Sequence, residues 1–328
     1  VRLGPLLAVP ALIREAGIDP APLLAACGLA ELTFDDAENR VPFAAAARML
    51  QDAACATGRE DFGLIVGQRA GADSLGVLSL LMQRAATVGD ALQGLARHIS
   101  LQDRGAVVYV ATNRPGMMAL GYAVHDDATP GLGIIYDLAM TLALAVLRGL
   151  CGPQWCALEV RLPHSPPKQA GLWRRHFGAP VVFDATGAEV WFDARWQQQP
   201  PPLADAAEQL ALLREAQRGE ARQAQSWTER SQHVALALAM TGSLSADNLA
   251  QVLAVHPRTL RRRLAEEGAR LQTVFNEARF HFACQLLCKT RIPLAEVAEA
   301  VGYADVTAFS RAFRGWAQCT PARWRKQA

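Results

Sequence analysis

The sequence lacks the marks that identify most function classes. No apolar run reaches the ~18 residues of a spanning helix, so no membrane partner is expected. No CxxC occurs, and the seven cysteines are an odd number without framework spacing. Only Cys151/Cys156 and Cys284/Cys288 lie close in sequence. This excludes a disulfide scaffold and points to small buried hydrophobes in a reducing cytoplasm. GxxxxGK[ST], GxSxG, HExxH and GxGxxG are all missing, which removes the P-loop, the nucleophile elbow, the zincin helix and the dinucleotide fingerprint. No catalytic residue, metal or cofactor is expected. An excess of one charge is missing as well: 33 Lys+Arg stand against 31 Asp+Glu, for a net +2.

That balance is an average of unlike parts. Residues 233–328 carry 11 Arg and 2 Lys against 7 acids, a balance of +6, which leaves −4 for residues 1–232. A chain of 328 residues is long enough for two domains, each with its own core. At the front, Arg2 precedes an apolar stretch, and Leu24-Ala25-Ala26-Cys27 resembles a lipoprotein cleavage box. Arg14, Glu15, Asp19, Pro20 and Pro22 interrupt the stretch, so residues 3–16 read as an amphipathic or buried helix instead.

Residues 1–100 are Ala/Leu-rich and predict several helices, clearest over residues 41–57 and 87–99. Thr87 is a candidate N-cap with Asp90 three residues on. The period then changes. Ala106 to Ala111 and Met117 to Val124 flank Asn113-Arg114-Pro115-Gly116, a hairpin pattern. Tyr136 to Leu150 is apolar nearly all round and predicts a buried helix. Residues 157–162, 181–183 and 190–192 read as strands, with a helix over residues 170–177. The expectation is an α+β N-terminal domain over residues 1–200. Gln197 to Pro202 breaks the pattern, and residues 201–231 read as a polar linker helix. From residue 232 onward the chain reads as an all-α C-terminal domain.

Within this basic third, Ser245 caps a short helix, Ala254 to His256 make a turn, and Pro257 opens a second helix that ends at Gly268. Leu260 and Leu264 fall on its inner side, while Arg258, Arg261 and Arg262 fall on the other. A short helix, a tight turn and a helix with an Arg-bearing outer face make a helix-turn-helix pattern. The pattern recurs over Leu294 to Trp316, with Phe309 and Phe313 inward and Thr307, Ser310, Arg311 and Arg314 outward. Leu249-Ala250 and Val297-Ala298 correspond at an offset of 48, and Leu260/Phe309 and Leu264/Phe313 at 49. The two helix-turn-helix units are joined by a long helix over residues 271–290, a rod of about 30 Å. Successive major-groove faces of B-DNA lie ~34 Å apart. Of Arg261 to Arg263, at least one is expected to pack or to touch phosphate rather than read a base.

These residues resemble the DNA-binding domain of the AraC/XylS family of bacterial transcription regulators. The matching pieces are Leu249-Ala250, Leu253, Thr259 to Leu264 and Gly268, then Arg279, Ala283 and Leu286-Leu287. Val297-Ala298, Val301-Gly302-Tyr303, Ala308 to Phe313, Thr320-Pro321 and Trp324-Arg325 complete the set. By position, the resemblance implies DNA contacts from Arg258, Thr259, Arg261 and Arg262 in the first unit and from Val306, Thr307, Ser310 and Arg311 in the second. The chemistry suits that role, since arginine clamps guanine O6 and N7, Ser and Thr bond either base edge, and Val meets a thymine methyl. Two departures stand out. His256 replaces the usual Ser cap, at a cost of ~1 kcal/mol, and Val306 occupies a position that is often polar. Gly28-Leu29, Arg40-Val41-Pro42, Phe62-Gly63-Leu64, Leu75-Gly76 and Thr87, Ala91-Leu92 resemble the arabinose-binding-like N-terminal domain of one branch. The resemblance implies an effector-binding and dimerising role without establishing a sugar ligand. It implies four partners: double-stranded promoter DNA, an unidentified small-molecule effector, a second copy of the chain, and RNA polymerase.

Two rival readings differ in the first domain. It could serve only to dimerise, or it could be an enzyme such as a Cys-based alkyl acceptor, which needs a thiol in an electropositive setting. His164, His176 and Asp184 read as ordinary loop or core residues rather than ligands. Trp155, Trp173, Trp191 and Trp196 read as core. Arg40 and Arg97 could receive an acidic effector, although a surface salt bridge is the simpler account.

Overall fold

The computed structural model describes residues 1–124, 129–222, 226–253 and 255–327. The N-terminal third is helical: α1 (Val9–Glu15), α2 (Pro20–Ala26), α3 (Phe43–Thr57), α4 (Phe62–Ala70), α5 (Val77–Gln83) and α6 (Val88–His98). The stretch read as one helix over residues 3–16 is a 3-10 turn (Gly4–Leu6) followed by α1. Pro5 and Pro10 each sit within the first two positions of these elements, where the missing N–H is harmless. Thr87 caps α6 as expected, its Oγ1 accepting the Asp90 N–H at 3.0 Å.

Strands β1 (Ala106–Ala111) and β2 (Met117–Val124) form the expected hairpin, with Ala106 opposite Val124. Helix α7 (Leu132–Cys151), strand β3 (Glu159–Arg161), helix α8 (Gly171–Phe177) and strands β4 (Val181–Val182) and β5 (Ala188–Asp193) follow. The sheet order is β1-β2-β5-β3-β4, antiparallel except for the β3–β4 pair. By length and composition α7 is apolar enough to cross a membrane. In the fold it is the core helix, packed against α4 and the inner face of the sheet. Asp137 in its second turn accepts from Trp173 Nε1 at 2.8 Å and lies 3.2 Å from His164 Nε2.

Both faces of this antiparallel sheet are buried. Alternation along the strands sends Val108, Leu120, Val190 and Phe192 into the N-terminal core. The same alternation sends Val107, Tyr109, Ala111, Ala119, Ala123 and Trp191 to the opposite face, where they join the core of the C-terminal domain. Trp155, Trp173, Trp191 and Trp196 are buried as expected, but Trp191 serves this second core. Glu189 lies buried between Tyr109 Oη (3.2 Å) and Trp191 Nε1 (2.7 Å), which both donate to it.

The helix read across the linker is two helices, α9 (Ala206–Arg222) and α10 (Trp227–Met240); residues 223–225 lie outside the described residues. The physical reason for a fresh start is a capping box: Ser226 Oγ accepts from Glu229 N–H while the Glu229 carboxylate accepts from Ser226 N–H, each at 3.0 Å. α9 lies on α5, with Arg84 paired to Glu208. α10 lies on β1 and on the C-terminal domain.

Gly121 faces Tyr109 across the hairpin, and a Cβ there would lie 2.2 Å from the Tyr109 ring. The aromatic lies flat where the partner strand has no side chain. Gly121→Ala is therefore expected to cost about 1–3 kcal/mol by overpacking, read as a lower denaturant midpoint at unchanged slope. A midpoint equal to wild type would show that the ring has room to move aside.

Candidate nucleic-acid interface

The C-terminal domain continues from α10 through α11 (Ala246–Val252), α12 (Pro257–Glu266), α13 (Leu271–Lys289), α14 (Leu294–Ala300), α15 (Val306–Ala317) and α16 (Pro321–Gln327). Both helix-turn-helix units expected from the sequence are present, α11–α12 and α14–α15, joined by α13. Of the first turn, Ala254 lies outside the described residues. Ser245 Oγ accepts from Asn248 N–H at 3.1 Å and opens α11. Asp305 Oδ1 accepts from Ala308 N–H at 2.7 Å and opens α15. His256 does cap α12: its Nδ1 accepts the Arg258 N–H at 3.2 Å, so the imidazole supplies the acceptor that the expected penalty assumed to be missing.

Leu260, Leu264, Phe309 and Phe313 are buried, as read from the spacing. Arg258, Arg261, Arg262, Thr307 and Arg311 are exposed. Thr259, Val306 and Ser310 are half-buried. Arg262 reaches Glu266 one turn on at 3.8 Å, an exposed pair of little strength. Arg263 is the arginine that packs. Its guanidinium lies 4.8 Å from the Trp227 ring, with Arg230 at 4.7 Å from the same ring.

The two units are anchored by different means. The end of α12 is fastened to the start of α10: the Glu267 carboxylate accepts from Trp227 N–H and Thr228 N–H at 2.8 Å each and from Thr228 Oγ1 at 2.7 Å. Desolvation alone would raise the Glu267 carboxyl, but the three bonds together outweigh it and hold the group below its usual range. The second unit is held by rings. Phe280 on α13 meets Phe313 at 5.5 Å, Trp324 at 5.9 Å and Trp316 at 6.0 Å between centroids, in tilted and edge geometries.

The domain is also tied to the sheet. Gln285 on α13 is buried; its Oε1 accepts from Tyr136 Oη at 3.3 Å, and its Nε2 donates to the Val124 carbonyl. Arg291 N–H donates to Asp184 Oδ1 at 3.3 Å, and His233 Nε2 lies 2.6 Å from the Arg104 carbonyl. Sequence reading found the two helix-turn-helix units but none of these joints.

Comparison with known proteins agrees with this architecture. Residues 17–201 match the model of the arabinose-binding domain of AraC transcription regulators, and residues 249–327 match a helix-turn-helix domain. The chain belongs to the AraC family of transcription regulators. It is similar to the HTH-type transcriptional regulator VirS of Mycobacterium tuberculosis, with 28% identity over 315 residues, covering 96% of this chain and 93% of that protein. It is also similar to the ornithine utilization regulator of Pseudomonas aeruginosa, with 25% identity over 335 residues and the same coverages. Among solved structures it resembles the transcriptional regulator CdpR from Pseudomonas aeruginosa, at 24% identity and a TM-score of 0.47, covering 95% of this chain and 97% of that one. As an AraC-type regulator the chain is a DNA-binding helix-turn-helix protein.

The residues weighed for other chemistry make ordinary side-chain contacts. His164 pairs with Asp137, His176 Nε2 lies 3.0 Å from Thr141 Oγ1, and Asp184 accepts from Ser165 Oγ and Arg291. Burial pushes the Cys151 thiol up to about 12, and burial with Asp52 raises Cys27, the opposite of an activated nucleophile. Among the described residues Arg40 makes no salt bridge; it donates to the Leu101 carbonyl, and desolvation by burial lowers its pKa.

The α15 cap gives a direct check of the second unit. Asp305→Ala removes the acceptor for Ala308 N–H and is expected to cost ~1 kcal/mol, with Asp305→Asn losing only a fraction of that in thermal melts. Equal losses in both variants would count against the capping role.

Proposed function

We propose that this regulator is controlled by a small-molecule effector bound in its N-terminal domain. Its signal would reach DNA through the sheet that the two domains share. The observation that carries this reading is the second face of the sheet. Residues of β1, β2 and β5 form one core with α10 and α13, and Gln285 bonds across it. A change in N-terminal packing therefore has a contiguous route to the helix that spaces the two recognition helices.

On DNA, α12 and α15 are the recognition helices. Arg258, Thr259, Arg261 and Arg262 would touch the first groove, and Val306, Thr307, Ser310 and Arg311 the second. The 19 residues of α13 make a rod of about 28 Å, which suits entry into adjacent turns ~34 Å apart. The half-buried Val306 gives the second unit an apolar edge suited to a thymine methyl, leaving more of the polar reading to the first. Residues 1–200 would form the sensing and dimerising unit, α9 the connection, and α10 onward the DNA-binding unit. The wider assembly would be a cytoplasmic homodimer at a promoter, in contact with RNA polymerase.

A duplex selected by the full-length protein from a random library provides the test. Binding should be steep in salt. Arg262→Ala and Arg311→Ala should each cost ~1–3 kcal/mol on that duplex and relax discrimination at the bases they touch. Unchanged sequence discrimination in both variants would remove them from base reading.

A further inference from the structure

The N-terminal core contains a cavity of about 100 Å³ between the inner face of the sheet, α3, α6 and α7. Its walls are almost entirely hydrocarbon, from side chains such as Leu50, Leu95, Val108, Leu120, Ile135 and Ala143. Three polar side chains reach it: Gln102, Asp103 and Tyr122. Gln102 is already occupied, accepting from Arg2 Nη1 at 2.9 Å and donating to the Arg2 carbonyl at 3.0 Å. Asp103 is buried, with Oδ1 accepting from Gly105 N–H at 2.8 Å and Oδ2 from Tyr122 Oη at 3.0 Å. Two carboxylate oxygens have roughly four lone-pair sites between them, so Asp103 retains capacity to accept from a ligand.

These features decide between ligand classes. A pentose carries a hydroxyl on nearly every carbon, and each one buried against hydrocarbon without a partner is costly. The cavity answers at one point only, so the family's label does not describe it. An acidic ligand would set its carboxylate against a buried carboxylate that already accepts on both oxygens. Among the described residues no Lys, Arg or His side chain lines the cavity, and the amino group of Val1, a lining residue, already donates to the Val41 carbonyl at 2.7 Å. A cavity of roughly 150 Å³ with such walls stays dry and takes up benzene; this one is smaller, so a single ring is the upper limit of what it holds.

We propose that this cavity is the effector site, and that it takes a small, non-acidic, mainly hydrocarbon molecule about the size of a single ring, held by one hydrogen-bond-donating head on Asp103 beside Tyr122. The proposal rests on the effector-controlled reading above and names its site and ligand class. The position also explains how the signal leaves. Tyr122 stacks edge-on against Tyr136 at 6.3 Å, and Tyr136 Oη donates to Gln285 of α13. A ligand on Asp103 thus lies two side chains from the rod between the recognition helices.

The test uses the full-length chain with benzyl alcohol, toluene, benzoate and arabinose, followed by calorimetry and thermal shift. Benzyl alcohol should bind saturably, toluene about tenfold more weakly for want of the charged hydrogen bond, and benzoate and arabinose more weakly still. Asp103→Asn, which keeps the shape, should bring benzyl alcohol close to toluene. Ala143→Leu, which fills the space, should weaken both while keeping a cooperative melt. Benzoate binding as tightly as benzyl alcohol, saturable arabinose binding, undiminished binding in Ala143→Leu, or no probe bound at millimolar concentration would each overturn the site assignment. Affinity for the selected duplex is measured on the same preparations. Probe binding that leaves DNA affinity unchanged would overturn effector control through this cavity while leaving the ligand class standing.

Discussion

The structure depends on the burial of a sheet's second face. β1, β2 and β5 carry apolar side chains on both sides, and a two-faced apolar sheet cannot stand in water on one of them. Here the cover is the DNA-binding domain itself. Val107, Tyr109, Ala111, Ala119, Ala123 and Trp191 share one core with residues of α10 and α13, and β1 lies on α10; full burial of a large apolar side chain is worth about 1.5–3 kcal/mol. Several such residues outweigh the few polar bonds across the same boundary. The hydrogen bonds instead set register. Glu189 fixes Tyr109 and Trp191, and Gln285 fixes α13 against Tyr136 and Val124, because a misplaced α13 would leave these buried polar groups unpaired.

Seating the domain this way gives its halves different attachments. The first helix-turn-helix hangs on α10, through Glu267 at the helix start and Arg263 on Trp227. The second is built on α13 by the Phe280 ring cluster and touches the first domain through Arg291 and Asp184. Rings packed edge to face tolerate little sliding, whereas exposed carboxylate-to-backbone bonds exchange with water at small cost. Motion between domains is thus more easily taken up at the α10–α12 end than within the second unit.

Local patterns told most of this in advance, and distant ones did not. The two helix-turn-helix units were legible because Leu260/Leu264 and Phe309/Phe313 repeat at helical spacing with arginines opposite. The hairpin was legible from its turn residues. The break before α10 was also encoded, in Ser226-Trp227-Thr228-Glu229, but a helix-prone linker masks a start signal inside it. The apolar character of Ala106 to Ala111 on both faces announced a second cover without saying which element provides it, since that pairing joins residues more than a hundred positions apart. Cap statistics average over side chains and do not show that a single ring nitrogen of His256 accepts the Arg258 N–H. The cavity has no sequence signature at all, because α3, α6, α7 and the sheet contribute its walls separately.

The shared sheet limits what an effector can do. A ligand shifts an equilibrium between domain arrangements only by its difference in affinity for them. Moving a regulator from 1:99 to 99:1 takes roughly 5.5 kcal/mol of that difference. A ring-sized molecule has a total binding energy of at most about 1.5 kcal/mol per non-hydrogen atom, so most of what it gains would have to be lost in the other state. Prying the whole outer face off α10 and α13 is beyond that means. What lies within it is a change at the Tyr122–Tyr136–Gln285 contact, where one hydrogen bond to a buried amide is worth about 1 kcal/mol net and more if left unpaired. Under the proposed effector control, the signal would therefore be a re-registering of α13 against a sheet it stays packed on, rather than an undocking of the DNA-binding domain.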